Sequence, residues 1–276
     1  MASGTVLVTG ASTGIGEATV LHLGELGFEP VAGVRKDEDA ERLGRSGIRS
    51  VRLDVTDPDQ IAAVGAELGD GALAGLVNNA GVAVASPIEF LPVEQLRRQL
   101  EINLIGQVAV TQALLPALRR TRGRIVNVSS IGGRVALPLV GAYNMSKFGL
   151  EAFSDVLRRE LRSQGVDVIA IEPGGIKTPL WEKGGQLADE ILTDMTAEGE
   201  QLYGPVIAAV RKETAKIEQV RGLPPRVVAE VIGTALTADR ARARYLVVRD
   251  AKARALVARV LPDRVMDRLI MRALGG

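Results

Sequence analysis

Thr5-Val6-Leu7-Val8-Thr9-Gly10-Ala11-Ser12-Thr13-Gly14-Ile15-Gly16 carries a short apolar run directly into a glycine-spaced loop. Residues 5–8 read as a buried strand. Residues 14–27 read as the helix behind it, with Ala18, Leu21, Leu23 and Leu26 on or near one face and a glycine stop. A tight strand-to-helix turn needs residues without a Cβ where φ is positive or another backbone comes close. The start of the helix then offers free N–H groups and the positive end of its dipole, which suit a pyrophosphate. Gly10, Ser12, Thr13, Gly14, Ile15 and Gly16 are therefore candidate dinucleotide-binding residues. The competing reading is an ordinary turn whose glycines serve packing. The spacing is G-x-x-x-G-x-G and no G-K-[ST] follows, which disfavours a P-loop.

Outward from this loop the pattern repeats. Apolar strand-like runs fall at 31–34, 48–53, 73–77, 124–128 and 166–171, with 244–248 as a seventh candidate. Helical patterns lie between them: 37–46, a helix opened by Asp57-Pro58, and long stretches at 93–119 and 142–164. Strands apolar on both faces fit a parallel sheet covered on each side. The alternation implies an α/β, doubly wound, Rossmann-like fold. With no linker, repeat or composition break, residues 1–276 read as one domain. A helical insertion at 180–221 reads either as a substrate-side lid or as a surface excursion.

Composition narrows the chemistry. The chain has 276 residues, 46% apolar, with one histidine and no cysteine. Disulfides, thiolate catalysis and Cys-ligated metals are excluded, a His-rich metal site cannot be built, and no metal centre is expected. Any Ser-His-acid triad would have to run through His22, which sits well past the glycine loop and reads as structural. Proton chemistry falls to Tyr, Lys or carboxylates. The net charge of +1 hides an uneven distribution: from Asp239 to Gly276 ten Lys/Arg face four Asp, a net of +6. No nucleic-acid partner is expected. With no signal-like start, and with charge-free windows too polar or too short to span a bilayer, a cytoplasmic protein is expected.

Two side chains supply a proton without histidine. Tyr143 and Lys147 are four residues apart at the start of a helix, so they share a face. An ammonium near a phenol favours the phenolate and is expected to lower its pKa from about 10. Packing plus a solvated charge is the bland alternative. Arg35 closes the second strand where an adenosine ribose would lie, and a guanidinium there favours a 2′-phosphate. NADP(H) is accordingly favoured over NAD(H), unless the register places Asp37 at the ribose instead.

Thr9–Gly16, Asn78-Asn79-Ala80-Gly81 and Tyr143-Asn144-Met145-Ser146-Lys147, in this order, resemble the short-chain dehydrogenase/reductase family over about two-thirds of the chain. The resemblance implies an NAD(P)-dependent oxidoreductase with Tyr143 as acid/base and Lys147 on the nicotinamide ribose. It picks Ser130, rather than its neighbour Ser129, to fix the substrate oxygen. It also gives Asn103 a part in holding a water that links Lys147 to solvent. Asp54-Val55 resembles the adenine-binding pair, although Asp54 could equally cap the helix near Pro58. Asn79, Ala80 and Gly81 resemble the segment under the adenosine ribose. Pro173, Gly174, Ile176 and Thr178 resemble the segment that meets the nicotinamide.

The expected substrate is a hydrophobic ketone or secondary alcohol, in a pocket lined by 131–140, Val82–Ala85 and Leu180-Trp181. The segment from Arg244 to Arg264 is similar to the steroid- and retinol-type branch. A homo-oligomer, dimer or tetramer, is expected. The basic amphipathic segment at 250–276 sets Arg264, Arg268 and Arg272 on one face and Val265, Met266, Leu269, Ile270 and Ala273 on the other. It reads as docking on the body or on a subunit in preference to a membrane surface. The competing function is a catalytically silent dinucleotide-binding sensor or scaffold; the intact Asn103, Ser130, Tyr143 and Lys147 set argues against it. An epimerase or dehydratase would need a larger C-terminal domain.

Overall fold

Seven parallel strands form one sheet in the order β3-β2-β1-β4-β5-β6-β7. They are β1 (Thr5–Thr9), β2 (Glu29–Val34), β3 (Arg49–Arg52), β4 (Leu73–Asn78), β5 (Arg124–Val128), β6 (Asp167–Pro173) and β7 (Arg244–Val247). The computed structural model describes residues 3–248 and 262–274. Alternation along β1 explains the unbroken apolar run. Val6 and Val8 enter one core with Val20, Leu23, Val228 and Ile232, while Leu7 enters the other with Val64, Leu114, Leu118 and Leu157. A strand buried on both faces is apolar at successive positions, so period-two alternation is absent.

Helices α1 (Gly14–Glu25), α2 (Asp37–Gly44) and α3 (Pro58–Gly69) join the first four strands. Asp57 caps α3 by accepting from the Asp59 and Gln60 amides, with Pro58 in the first turn. On α1 the buried face is Gly16, Thr19, Val20 and Leu23, whereas the expected Leu21 and Leu26 stay exposed. The long helix expected at 93–119 is two helices, α4 (Val93–Leu100) and α5 (Gly106–Thr121), separated by a π-helical turn, Glu101–Ile105. Periodicity alone does not register such an insertion, because the apolar face resumes after it.

Helix α6 (Gly141–Glu160) carries the Tyr–Lys pair between β5 and β6. The 180–221 insertion forms α7 (Pro179–Thr193), α8 (Ala197–Lys216) and a π turn, Ile217–Arg221, ahead of α9 (Pro225–Thr237). It is no loose excursion. Leu187 and Ile191 of α7 pack with Val84, Leu91, Leu96 and Ala142, and Tyr203 of α8 meets the Phe90 ring edge-on and donates to Glu89. Helix α10 (Asp263–Ala273) has no fully buried residue, although Met266, Ile270 and Leu274 are half-buried. The basic stretch at 250–261 lies outside the described residues. Among the described residues no helix is long and apolar enough to cross a membrane.

Candidate active site

The chain winds outward from β1 to β3 and then returns to β4 on the other side of β1. Such a reversal leaves a crevice at the carboxyl ends of the strands, because the following loops diverge in opposite directions. A cleft of ≈ 450 Å³ lies there. It is lined by Gly10, Ser12, Thr13, Gly14, Ile15, Arg35, Asp54, Val55, Asn79, Ala80, Gly81, Ser130, Tyr143, Lys147, Pro173, Gly174, Ile176 and Thr178. Elements scattered from Gly10 to Thr178 thus converge on one surface.

Two expected residues stand behind the wall. Gly16 does not line the cleft. A Cβ on it would lie 2.3 Å from the Gly10 carbonyl oxygen and 2.6 Å from Asn79 Nδ2, so its role is to let α1 close onto the loop. Gly10 is itself in the left-handed region, at φ 62°, where only glycine is unstrained. Asn103 is fully buried in the π turn. Its Oδ1 accepts from the Val82 amide at 2.8 Å, and its Nδ2 donates to the Val82 carbonyl at 2.9 Å and to Ser146 Oγ at 3.1 Å. Both amide hydrogens are used on protein, which fixes the chain just after Asn79-Ala80-Gly81.

The loop has anchors that the motif reading missed. The Thr9 hydroxyl accepts from the Asn79 and Ala80 amides, both at 2.9 Å, tying the end of β1 to the end of β4. A hydroxyl closing an apolar strand was its only sequence signal. Arg42, on the charged face of α2, donates to the Ser12 carbonyl and to Glu17, and this pairing raises its already high pKa. No local pattern marked Arg42, because its partners lie 25 and 30 residues away. Helix α1 begins after Thr13 with no side-chain cap, so its first-turn N–H groups are available to an anion.

At the end of the cleft beside β2, Arg35 lines it and its guanidinium stands 3.8 Å from Asp54. Asp37 does not line it and pairs with Arg52 on the outside at 3.3 Å. Asp54 accepts from the Thr56 amide and hydroxyl, at 3.0 and 2.8 Å, and leaves the capping of α3 to Asp57.

At the other end, Ser129 and Ser130 both face the cleft. Ser130 Oγ accepts from the Gly132 amide at 3.0 Å and donates to the Pro173 carbonyl at 3.4 Å, linking β5 to the segment after β6. Ser129 Oγ is buried without a hydrogen-bond partner. Lys147 donates to the Val128 carbonyl at 2.8 Å, and its ammonium is 5.7 Å from the centre of the Tyr143 ring. The expected lowering of Tyr143 is not what this environment produces. Burial pushes the phenol up, and the hydrogen bond with Ser130 only partly opposes it. Burial likewise brings Lys147 down to about 8, with Glu151 pulling the other way.

On the substrate side, Val82, Ala83, Val84, Leu180, Trp181 and Leu187 line the cleft, with a rim of Gln95, Arg98, Lys183, Gln186 and Glu190. None of residues 131–140 lines it. Val140 instead packs with Ala83 and Tyr143, against Leu180 and Trp181. Trp181, the chain's one tryptophan, lies with its ring centre 5.7 Å from that of Tyr143. Arg134 is occupied by Glu172 and Glu151 and is no cation for a substrate.

An uncapped helix start behind a glycine loop, a cationic ribose end and a Ser–Tyr–Lys group at the far end together suit a nicotinamide dinucleotide. The short chain dehydrogenase family model matches residues 4–187. The NADPH-dependent 3-dehydrocapnine reductase of Ornithobacterium rhinotracheale is 35% identical, over 97% of this chain and 96% of its own. Retinol dehydrogenase 16 of Homo sapiens is 38% identical, over 96% and 87% respectively. A crystal structure of a short chain dehydrogenase from Burkholderia cenocepacia J2315 in complex with NADP superposes with a TM-score of 0.75 at 26% identity, covering 99% of this chain and 98% of that one.

The chain belongs to the short-chain dehydrogenase/reductase family. It is an NAD(P)-dependent oxidoreductase acting on CH–OH/C=O groups.

Proposed function

We propose that the protein uses NADP(H) to interconvert a carbonyl and a secondary alcohol on a hydrophobic small molecule, with Tyr143 as acid/base. The observation that carries this is the convergence of Ser130, Tyr143 and Lys147 on the apolar wall formed by Val82, Ala83, Leu180 and Trp181. When bound, the nicotinamide supplies or accepts the hydride. Tyr143 gives the proton to the nascent alkoxide, or takes it from the alcohol in the reverse direction. Ser130, held by the Gly132 amide, turns its one hydroxyl hydrogen from the Pro173 carbonyl to the same oxygen and orients it. Lys147 holds the nicotinamide ribose, and its charge favours the phenolate when Tyr143 has given up its proton. We assign Asn103 to holding the Val82 wall, since its side chain has no hydrogen left for a water.

The NADP(H) preference rests on Arg35 reaching the cleft while Asp37 turns away. An exposed guanidinium can face a 2′-phosphate, whereas the two free hydroxyls of NAD(H) gain little from it. Arg35→Ala should weaken NADPH binding by about tenfold to a hundredfold and leave NADH within about twofold, consistent with one charge-assisted hydrogen-bond pair. Quenching of Trp181 emission during titration with each dinucleotide measures both. Equal losses for NADPH and NADH would discard Arg35 as the selector. Turnover of hydrophobic ketones with NADPH tests the reaction itself.

Met145, Phe148 and Val156 form an exposed apolar stripe on α6 and support self-association. Light scattering after gel filtration should show a dimer or tetramer that Phe148→Glu splits. A monomeric wild type would remove this part of the reading.

A further inference from the structure

Behind the reacting face, four charged side chains from four separate segments meet. Glu151 on α6 and Glu172 on β6 are only 6% and 7% exposed. Arg244, from β7, reaches both carboxylates: its Nε is 3.0 Å from Glu151 Oε2 and 3.3 Å from Glu172 Oε1. Arg134, in the turn after β5, stands 3.0 Å from Glu172 Oε1 and 3.7 Å from Glu151 Oε2. Three of the four segments also adjoin the proposed reacting groups. Glu172 precedes Pro173, which accepts from Ser130, Arg134 lies four residues beyond Ser130, and Glu151 lies one helical turn beyond Lys147.

The arrangement leaves one oxygen over. Both arginines address Oε2 of Glu151, while Oε1 is buried with no hydrogen-bond partner. Lys147 is just 5% exposed, and its one protein hydrogen bond goes to the Val128 carbonyl, a neutral acceptor. A buried ammonium without a counter-charge is costly, and a buried carboxylate needs cations around it for the same reason. The charged and titratable groups around Lys147 and Glu151 are Tyr143, whose ring centre is 5.7 Å from the ammonium, and Asp155 on the same helix, Arg134 after β5, Glu172 on β6 and Arg244 on β7. Of these, Asp155 sits at the outer end of Arg244, at 2.7 Å, and is also paired with Arg158.

We propose that Glu151 is the counter-charge that keeps Lys147 an ammonium in the dry wall of the cleft, and that Arg244 and Arg134 are the positioning residues that hold Glu151 there. This rests on the reading that Lys147 acts in the reaction. It makes the edge strand β7, which contributes no residue to the cleft, a support of the reacting group.

Lysine Cε resonances followed by 13C NMR across pH report Lys147 directly, without a substrate, once Lys147→Arg identifies its signal. In the wild type Lys147 should titrate near about 8. Glu151→Gln should lower its midpoint by about one unit or more, a tenfold loss of proton affinity, and Glu151→Asp should recover part of it. Asp155→Asn, which removes a carboxylate from the outer end of Arg244, should leave the midpoint near the wild-type value. An unmoved midpoint in Glu151→Gln, or an equal shift in Asp155→Asn, overturns the proposal. Should Glu151→Gln fail to fold, the wild type still decides. A buried counter-charge is poorly screened, so the midpoint should move by less than about 0.3 unit between about 0.05 and 0.5 M KCl, and a larger drift overturns it. A fully active Tyr143→Phe enzyme would instead overturn the catalytic reading and leave this titration standing.

Discussion

Tyr143→Phe should lower turnover by about three orders of magnitude or more while NADPH affinity stays within about threefold, the pattern expected when a group that acts in the transition state is removed. The substitution deletes a single oxygen from a ring that is only 7% exposed and packs against Val140, Leu180 and Trp181. Phenylalanine retains that shape, so the wall and the fold are preserved. What disappears is the proton donor and its contact with the substrate oxygen. Burial holds the Tyr143 phenol above its ordinary pKa, so at neutral pH the site carries the proton that carbonyl reduction needs. Steady-state reduction of a hydrophobic ketone, paired with NADPH titration by Trp181 emission, separates the two effects. Normal turnover in a well-folded variant would reassign the acid/base.

Gly16→Val should cost both cofactor affinity and stability. The new Cβ would fall 2.3 Å from the Gly10 carbonyl and 2.9 Å from Ala11 Cα, positions held by backbone. It would also fall 2.6 Å from Asn79 Nδ2, whose hydrogen bonds to the Thr9 and Gly10 carbonyls, at 3.0 and 3.1 Å, tie the loop down. No flexible side chain can yield, so α1 must move off the loop. We expect a loss of about 2–4 kcal/mol in chemical denaturation, in the range of overpacking with backbone displacement. NADPH affinity should fall about a hundredfold, because the N–H groups that would meet the pyrophosphate move with α1. Wild-type affinity would show that the loop tolerates the displacement and that Gly16 is there for packing alone.

Much of the fold was legible because the local signals agreed. β1 shows an unbroken apolar run because both its faces are buried, and the Asp57-Pro58 cap marks α3 by chemistry confined to one turn. The π turn at Asn103 has no sequence signature, since an added residue in one turn leaves the neighbouring apolar pattern intact. For the site, Tyr143 and Lys147 stood out through helical spacing and Arg35 through its place at a strand end. Thr9, Arg42 and Gln99 did not. Gln99 holds the Val82 carbonyl and the Val84 amide across 17 and 15 residues, a relation that no window of sequence contains.

The sequence by itself determined the class of sheet, the glycine loop, the absence of thiol chemistry and the Tyr143–Lys147 pair that the proposed reaction uses. These follow from residue type, spacing and composition, which are local or additive. Only the tertiary structure decided that Arg35 and not Asp37 lines the cleft, that Asn103 and Gly16 stand behind its wall, and that 131–140 lies outside it. It alone decided that the Tyr143 phenol is pushed up instead of down. Those outcomes depend on which way a strand end turns and on how much water reaches a group, and both are set by elements distant in the chain. The Tyr143–Lys147 spacing is written in one helix; the desolvation that sets both pKa values is made by the packing around it.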